Sequence, residues 1–279
     1  MIILRVFPRR TSYTPTDPMV FIGDPPLFRP DADEVHVSVT FTWDMPKGEQ
    51  LAAAWSQYYS NVKLGGVAYG LVIGDFIPGL YVKHGVTFTT RGCKNRCNWC
   101  LVPSYEGDFI EISNFPPGWI IADNNLLQAS HSHIERVFDM LRSQPKAAIF
   151  SGGIQSSLVT DWFADLLKTI KVNQLFLAAD TPQSLSSLSF ALDKLSFLGR
   201  ERLRVYAMIG LETIQEAHNR LEKIWSLGGM PFAQLYQPPD RFITYNSHWR
   251  KLAKHWSRPA IMKSLHREHN HSNIQVPML

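Results

Sequence analysis

Three cysteines, Cys93, Cys97 and Cys100, stand within one eight-residue stretch in the spacing C-x3-C-x2-C, and the chain has no other. Three thiols so placed cannot all pair with one another. In a reducing compartment such close spacing argues for a bound metal or cluster rather than a disulfide. A structural zinc ion takes four ligands that close a tetrahedron, usually as two separated pairs. A zinc reading therefore needs a fourth donor, for which His84, His131 and His133 are the candidates. A four-iron cluster held by three cysteines instead leaves one iron for a ligand that is not protein. The neighbours Arg91, Lys94 and Arg96 would lower thiolate pKa values and offset negative charge, or serve only as solvated loop charges.

The elements that must carry this stretch follow from hydrophobic periodicity. From residue 86 onward strand and helix signals alternate, which favours parallel strands with crossover helices. Strands are expected at 86–90, 119–123, 147–151, 174–179, 203–209 and 231–236, so the cysteines follow directly on the first. Three helix stripes lie between them: Ile134, Val137, Phe138 and Leu141; Phe163, Leu166, Leu167 and Ile170; Leu185, Leu188, Leu192 and Leu195. Thr181 with Pro182 reads as the start of the third helix. A capping box from Thr213 to Glu216 opens a fourth, which Gly228 stops. The expected architecture is α/β: a partial (β/α)6 barrel over 85–240, with a short N-terminal α/β extension and a C-terminal helix.

The N-terminal part, 1–84, begins with a proline-rich stretch that shows no period and reads as an extended arm. "EVHVSVTFTW" alternates as a strand, and Leu51, Ala54, Trp55, Tyr58 and Tyr59 form one apolar helix face. "NVKLGGVA" closes a small strand-helix-strand unit, and a domain boundary is expected near residue 84. The chain of 279 residues, 45% hydrophobic and 19% charged, has the composition of a globular protein with a sizeable core. No apolar run reaches spanning length, and the N-terminus lacks the order of a secretory signal, so a cytoplasmic location without membrane contact is expected. The net charge of +4 does not by itself imply nucleic-acid binding, because much of the excess sits in the tail after residue 241. There Trp249, Leu252, Ala253 and Trp256 predict an amphipathic helix that ends at Pro259 before a frayed histidine-rich end. Arg250, Lys251, Lys254 and Arg258 would face solvent or a polyanion.

C-x3-C-x2-C directly after a first barrel strand resembles the radical S-adenosylmethionine (SAM) superfamily, over roughly residues 85–240. The resemblance implies that Cys93, Cys97 and Cys100 hold a [4Fe-4S] cluster, whose fourth iron is chelated by the amino and carboxylate groups of SAM. It implies that Trp99, at the family's aromatic position, packs near the adenine. The family's Gly-Gly-Glu segment at the second strand end is not matched: Ser151, Gly152 and Gly153 are followed by Ile154, and by strand count end the third strand. The second ends in Asp123, Asn124 and Asn125, similar to radical SAM proteins that bind cobalamin or transfer methylthio groups. The implied SAM contacts are thus Asp123 and Asn125, backbone approach at Ser151, Gly152 and Gly153, and Asp180 toward the ribose. The residue-level alternatives are a helix cap or turn for Asp123, a tight turn for the glycines, and a helix cap for Asp180. Tyr206 and Tyr236 read as core.

The N-terminal unit resembles the Rossmann-like domain of those relatives. It lacks an Asp-x-His-x-x-Gly segment, which disfavours cobalamin, and no cysteines remain for the second cluster that methylthio transfer uses. The implied activity is reductive cleavage of SAM to a 5'-deoxyadenosyl radical that abstracts hydrogen from a substrate. The partners would be an electron donor such as flavodoxin or ferredoxin and a small molecule, RNA or peptide. The contrasting reading is a zinc-stabilised nucleic-acid-binding module.

Overall fold

The computed structural model describes residues 1–70, 76–238 and 241–271. The chain divides into two compact units, one of residues 1–146 with 238–242 and one of residues 147–237 with 243–279. The expected boundary near residue 84 falls inside the first. Both units are α/β with parallel strands. No barrel is defined among the described residues.

The first unit opens with β1 (Ile3–Phe7), β2 (Val20–Ile22) and β3 (Glu34–Ser38), followed by α1 (Met45–Trp55) and β4 (Val62–Gly65). These four strands form one parallel sheet in the order β2-β1-β3-β4. The first thirty residues are therefore not an extended arm: they supply an interior strand and an edge. β1 shows no alternation because both its faces are covered, as in other parallel sheets, and Leu4, Arg5, Val6 and Phe7 are all buried. Leu51 and Trp55 seat α1 on Val35, Val37 and Val39, and Trp55 Nε1 donates to the Gly23 carbonyl at 3.1 Å. Tyr58, expected on that face, is exposed, because the helix ends at Trp55.

The rest of the unit contains β5 (Val86–Thr87), β6 (Thr90–Arg91), α2 (Val102–Tyr105), β7 (Ile110–Glu111), β8 (Ile120–Ile121) and α3 (His131–Arg142). β5 pairs in parallel with β8, whereas β6 pairs antiparallel with β7. The strand expected at 86–90 thus breaks after Thr87. The stripe Ile134, Val137, Phe138 and Leu141 is buried on α3, whose N-cap is Ser130, accepting from His133 N.

The second unit runs β9 (Ala148–Gln155), α4 (Asp161–Lys168), β10 (Val172–Ala178), α5 (Ser184–Lys194), β11 (Leu203–Ile209), α6 (Ile214–Ser226) and β12 (Met230–Leu235), then α7 (Ser247–Ser257) and α8 (Pro259–His271). β9 to β12 pair in parallel in chain order. Phe163 and Leu167 of α4, and Leu188 and Leu192 of α5, are buried as their stripes require. The capping box of α6 is present, and Gly228 follows the helix at φ +96°. α5 starts three residues later than Thr181, and no side chain caps it. Pro259 ends α7 as expected but also begins α8, since a proline is suited to a first helical position. Residues 259–271 are therefore helical rather than frayed, and 272–279 lie outside the described residues. No helix among the described residues is long and apolar enough to cross a membrane.

Trp256 on α7 is fully buried, and Trp249 is half-buried. Trp256 Nε1 donates to His218 Nδ1 on α6 at 3.3 Å, and its ring meets those of His255 and, on α8, His266. Trp256→Ala should lower unfolding free energy by about 3–5 kcal/mol in urea titration, with exposed Lys254→Ala within about 0.5 kcal/mol of the parent. The histidines add a pH dependence. Burial pushes His255 below the ordinary imidazole range; charge on His266 or His218 pushes it further down, and Glu222 opposes them. A depressed folded value means that the neutral ring is preferred in the fold. The contribution is present above the unfolded value of about 6.5 and is lost as pH falls through the folded one. Urea midpoints should therefore drop between about pH 7.5 and 5.5, and His255→Gln should flatten the drop.

Candidate functional site: the cysteine loop

The cysteines lie in the connection between β6 and α2, and all three keep their thiols. Cys97 is exposed, and Cys93 and Cys100 are half-buried. Two features fix the start of this loop. Gly92 has φ +70°, and a Cβ there would lie 2.2 Å from the Asp108 carbonyl oxygen, so only glycine fits. A turn bond from Cys100 N to the Cys97 carbonyl, 3.0 Å, shapes its end.

What holds the loop to the unit is Asp123, directly beyond β8. The residue is 2% exposed. One carboxylate oxygen accepts from Thr89 N at 2.6 Å and Thr90 N at 3.1 Å, and the other from the Thr89 hydroxyl. These bonds explain the broken strand: the amides of Thr89 and Thr90 turn to a side chain instead of a ladder. Burial pushes the Asp123 carboxyl up from the ordinary carboxylate range, and the bonds from Thr89 and Thr90 pull it back. Asn124 continues the clasp, donating to Glu106 Oε2 at 2.8 Å and the Gly92 carbonyl at 3.4 Å, while Gly92 N donates to the same Glu106 oxygen at 3.0 Å. Lys94 is tied to a short 3-10 turn at Leu126–Gln128: its amide donates to Gln128 Oε1 and its Nζ to the Gln128 carbonyl, both at 2.7 Å.

The basic neighbours are fastened to other groups of the loop and its surroundings. Arg91 sits 3.6 Å from the Glu106 carboxylate and over the Phe88 ring. Arg96 pairs with Asp108 at 2.7 Å and donates to the Cys93 carbonyl at 3.1 Å. They serve as loop anchors.

Of the histidines offered as a fourth zinc ligand, His84 and His133 have other neighbours. His84 is exposed, its ring close over Gly79. His133 is buried edge-on to Phe115, 3.8 Å from the Glu111 carboxylate, and burial pushes its pKa down. Among the described residues no group of three or more His, Cys, Asp or Glu side chains is gathered as a metal site. In type and number the donors fit thiolate ligation of iron, and the loop must close for the three sulfurs to converge on one group.

Of the SAM contacts that the resemblance implied, Asp123 and Asn125 are buried beside the loop, and Trp99 is half-buried within it. Both oxygens of Asp123 already accept from Thr89 and Thr90. Ser151, Gly152 and Gly153 belong to the second unit and do not end a strand. β9 continues to Gln155, and Phe150 pairs with Leu175 while Ile154 pairs with Leu177, so residues 151–153 oppose Phe176 alone in a bulge. The half-buried Tyr206 donates its hydroxyl to the Ser151 carbonyl at 3.0 Å, and its ring stacks on Phe176 at 4.5 Å. Asp180 does not cap α5. Its carboxylate accepts from Met208 N of β11 at 2.9 Å, and burial pushes its pKa up. Beside it Arg220 donates to the carbonyls of Ala179 at 2.9 Å and Met208 at 2.6 Å and pairs with Glu212.

Glu106, Gln128 and Arg220 were missed by sequence reasoning. Glu106 has a weak signal, an acid before the turn glycine Gly107, but Gln128 lies 34 residues from Lys94 and nothing local marks it. No protein-family model and no curated protein matches the chain.

Asp123→Ala should cost about 3 kcal/mol, because it strands two buried amides and a hydroxyl, and Asp123→Asn should cost less. Urea titration measures both. Cys93 and Cys97 should also react faster with a thiol reagent in the alanine variant, since its loop loses its anchor.

Proposed function

We propose that the chain is a radical SAM enzyme in which Cys93, Cys97 and Cys100 hold a [4Fe-4S] cluster. One observation supports the reading: the three-thiol loop follows the short antiparallel strand β6, two residues past the parallel strand β5, and is clasped through Asp123 and Asn124 just beyond β8, the parallel partner of β5. Three cysteines suit the cluster, whose fourth iron would be left to SAM, and of the candidate fourth zinc ligands His133 is engaged with Phe115 and Glu111. A partial (β/α)6 barrel is the corresponding fold, its strand ends presenting loops to the substrate. When bound, the cluster would supply the electron that cleaves SAM to methionine and a 5'-deoxyadenosyl radical able to abstract hydrogen.

The chain's own contribution is to position and enclose. Asp123 holds the strand end by the Thr89 and Thr90 amides, Gly92 makes the turn, and Lys94 fixes the loop to Gln128. Trp99, half-buried in the loop, would cover the adenine, and the Asn125 amide would contact SAM. A cytoplasmic location and a flavodoxin or ferredoxin as electron donor go with this reading.

Anaerobic reconstitution tests it. The parent should take up about four irons and four sulfides per chain and yield 5'-deoxyadenosine from SAM with a reductant, and each single Cys→Ala variant should lose both. One zinc without sulfide would favour the binding module, and a full cluster in any single variant would sink the ligand assignment.

A further inference from the structure

α7 carries Arg250, Lys251, Lys254 and Arg258 at its exposed surface or just past its end, and contains no acidic residue. At 100° per residue these four fall within an arc of about 100°. Arg250, Lys254 and Arg258 follow one another at about one helical turn, roughly 6 Å apart along the axis. Several exposed cations elsewhere are paired: Lys63 with Glu34, Arg96 with Asp108, Lys168 with Asp165, Lys263 with Glu201. Among the described residues the four on α7 make no ion pair. Beside them, between α6 and α7, lies an open cavity of about 330 Å³ lined by Ile214, His218, His248, Lys251, Leu252 and His255.

We propose that this face of α7 binds the phosphodiester backbone of a single nucleic-acid strand, with a base or sugar entering the adjoining histidine-lined cavity. The proposal does not rest on the cluster. Four unpaired cations in a row confront a polyanion without first giving up a protein partner, and their one-turn steps track a chain of repeating phosphates. The cavity supplies what a strand needs besides charge: ring faces and N–H donors next to apolar Ile214 and Leu252. An anionic membrane fits less well. A helix lying in a lipid surface needs its apolar face outward, and Trp256 and Met262 are fully buried.

The test is fluorescence anisotropy with the full chain and a labelled single-stranded RNA of about 20 nucleotides, the same DNA sequence, and phosphatidylserine vesicles, across a salt series. The parent should bind strand in a salt-dependent manner. The exposed-site variant Arg250→Glu/Lys254→Glu should bind about tenfold or more weakly, with the slope of log K against log salt reduced by about 0.7 for each lost phosphate contact. Lys168→Glu, on α4, is the control and should bind as the parent does. Tighter binding of RNA than DNA would identify the 2'-hydroxyl as a further contact, and equal binding would leave the backbone as the whole determinant; both support the proposal. No strand binding, undiminished binding by the double variant while its melting temperature matches the parent's, or binding to the vesicles alone would overturn it. Loss of the cluster in Cys→Ala variants should leave strand binding intact, so the two functional readings fail separately.

Discussion

A single buried carboxylate organises the first unit. Asp123 is out of water and has no cation as its closest partner; two backbone amides and a hydroxyl hold it. Burying an ionisable group this way costs stability unless its acceptor sites are filled, and here the filling groups are the last residues before the cysteine loop. Fold and site are thereby coupled. The amides of Thr89 and Thr90 that would have prolonged the first strand are diverted, the chain turns, and Gly92 launches the cysteines. The Asn124–Glu106–Gly92 contacts and the Lys94–Gln128 contacts then repeat the restraint at both sides of the turn.

The cysteine loop and α7 treat charge in opposite ways. Around the cysteines Arg91, Lys94 and Arg96 are held by Glu106, Gln128 and Asp108, so the cations serve loop geometry. On α7 four cations have no such duty, while the opposite face of the helix is spent on the burial of Trp256. One amphipathic helix thus offers a polyanion-facing surface without weakening its own docking, since the buried and the charged residues lie on separate arcs.

Much of this was legible beforehand, and the failures share a physical cause. The helix stripes on α3, α4 and α5, the capping box of α6 and the tryptophan face of α7 rest on local periodicity, which tertiary contacts reinforced. The N-terminal stretch misled because β1 is buried on both faces and loses the alternation that marks a strand. Gly152 and Gly153 suggested a turn, but three residues can bulge against one without ending a strand, and only the neighbouring β10 reveals it. In the site, the cysteines announced themselves by spacing. Asp123 was noticed as a ligand contact or a turn residue, and its bonds to Thr89 and Thr90 went unseen because those partners stand 34 and 33 residues away. Glu106 and Gln128 are long-range clasps of the same kind, and composition and period carry no trace of them.

The central claim is that three thiolates hold a cluster whose fourth position is open to SAM. Electron paramagnetic resonance of the reduced, anaerobically reconstituted protein addresses it directly, with spectra recorded before and after SAM is added. The account predicts the signal of a reduced four-iron cluster that changes shape when SAM is added, because the added ligand binds the iron that no cysteine holds. A cluster signal that SAM leaves unchanged, or a zinc-loaded protein with no signal, would contradict it.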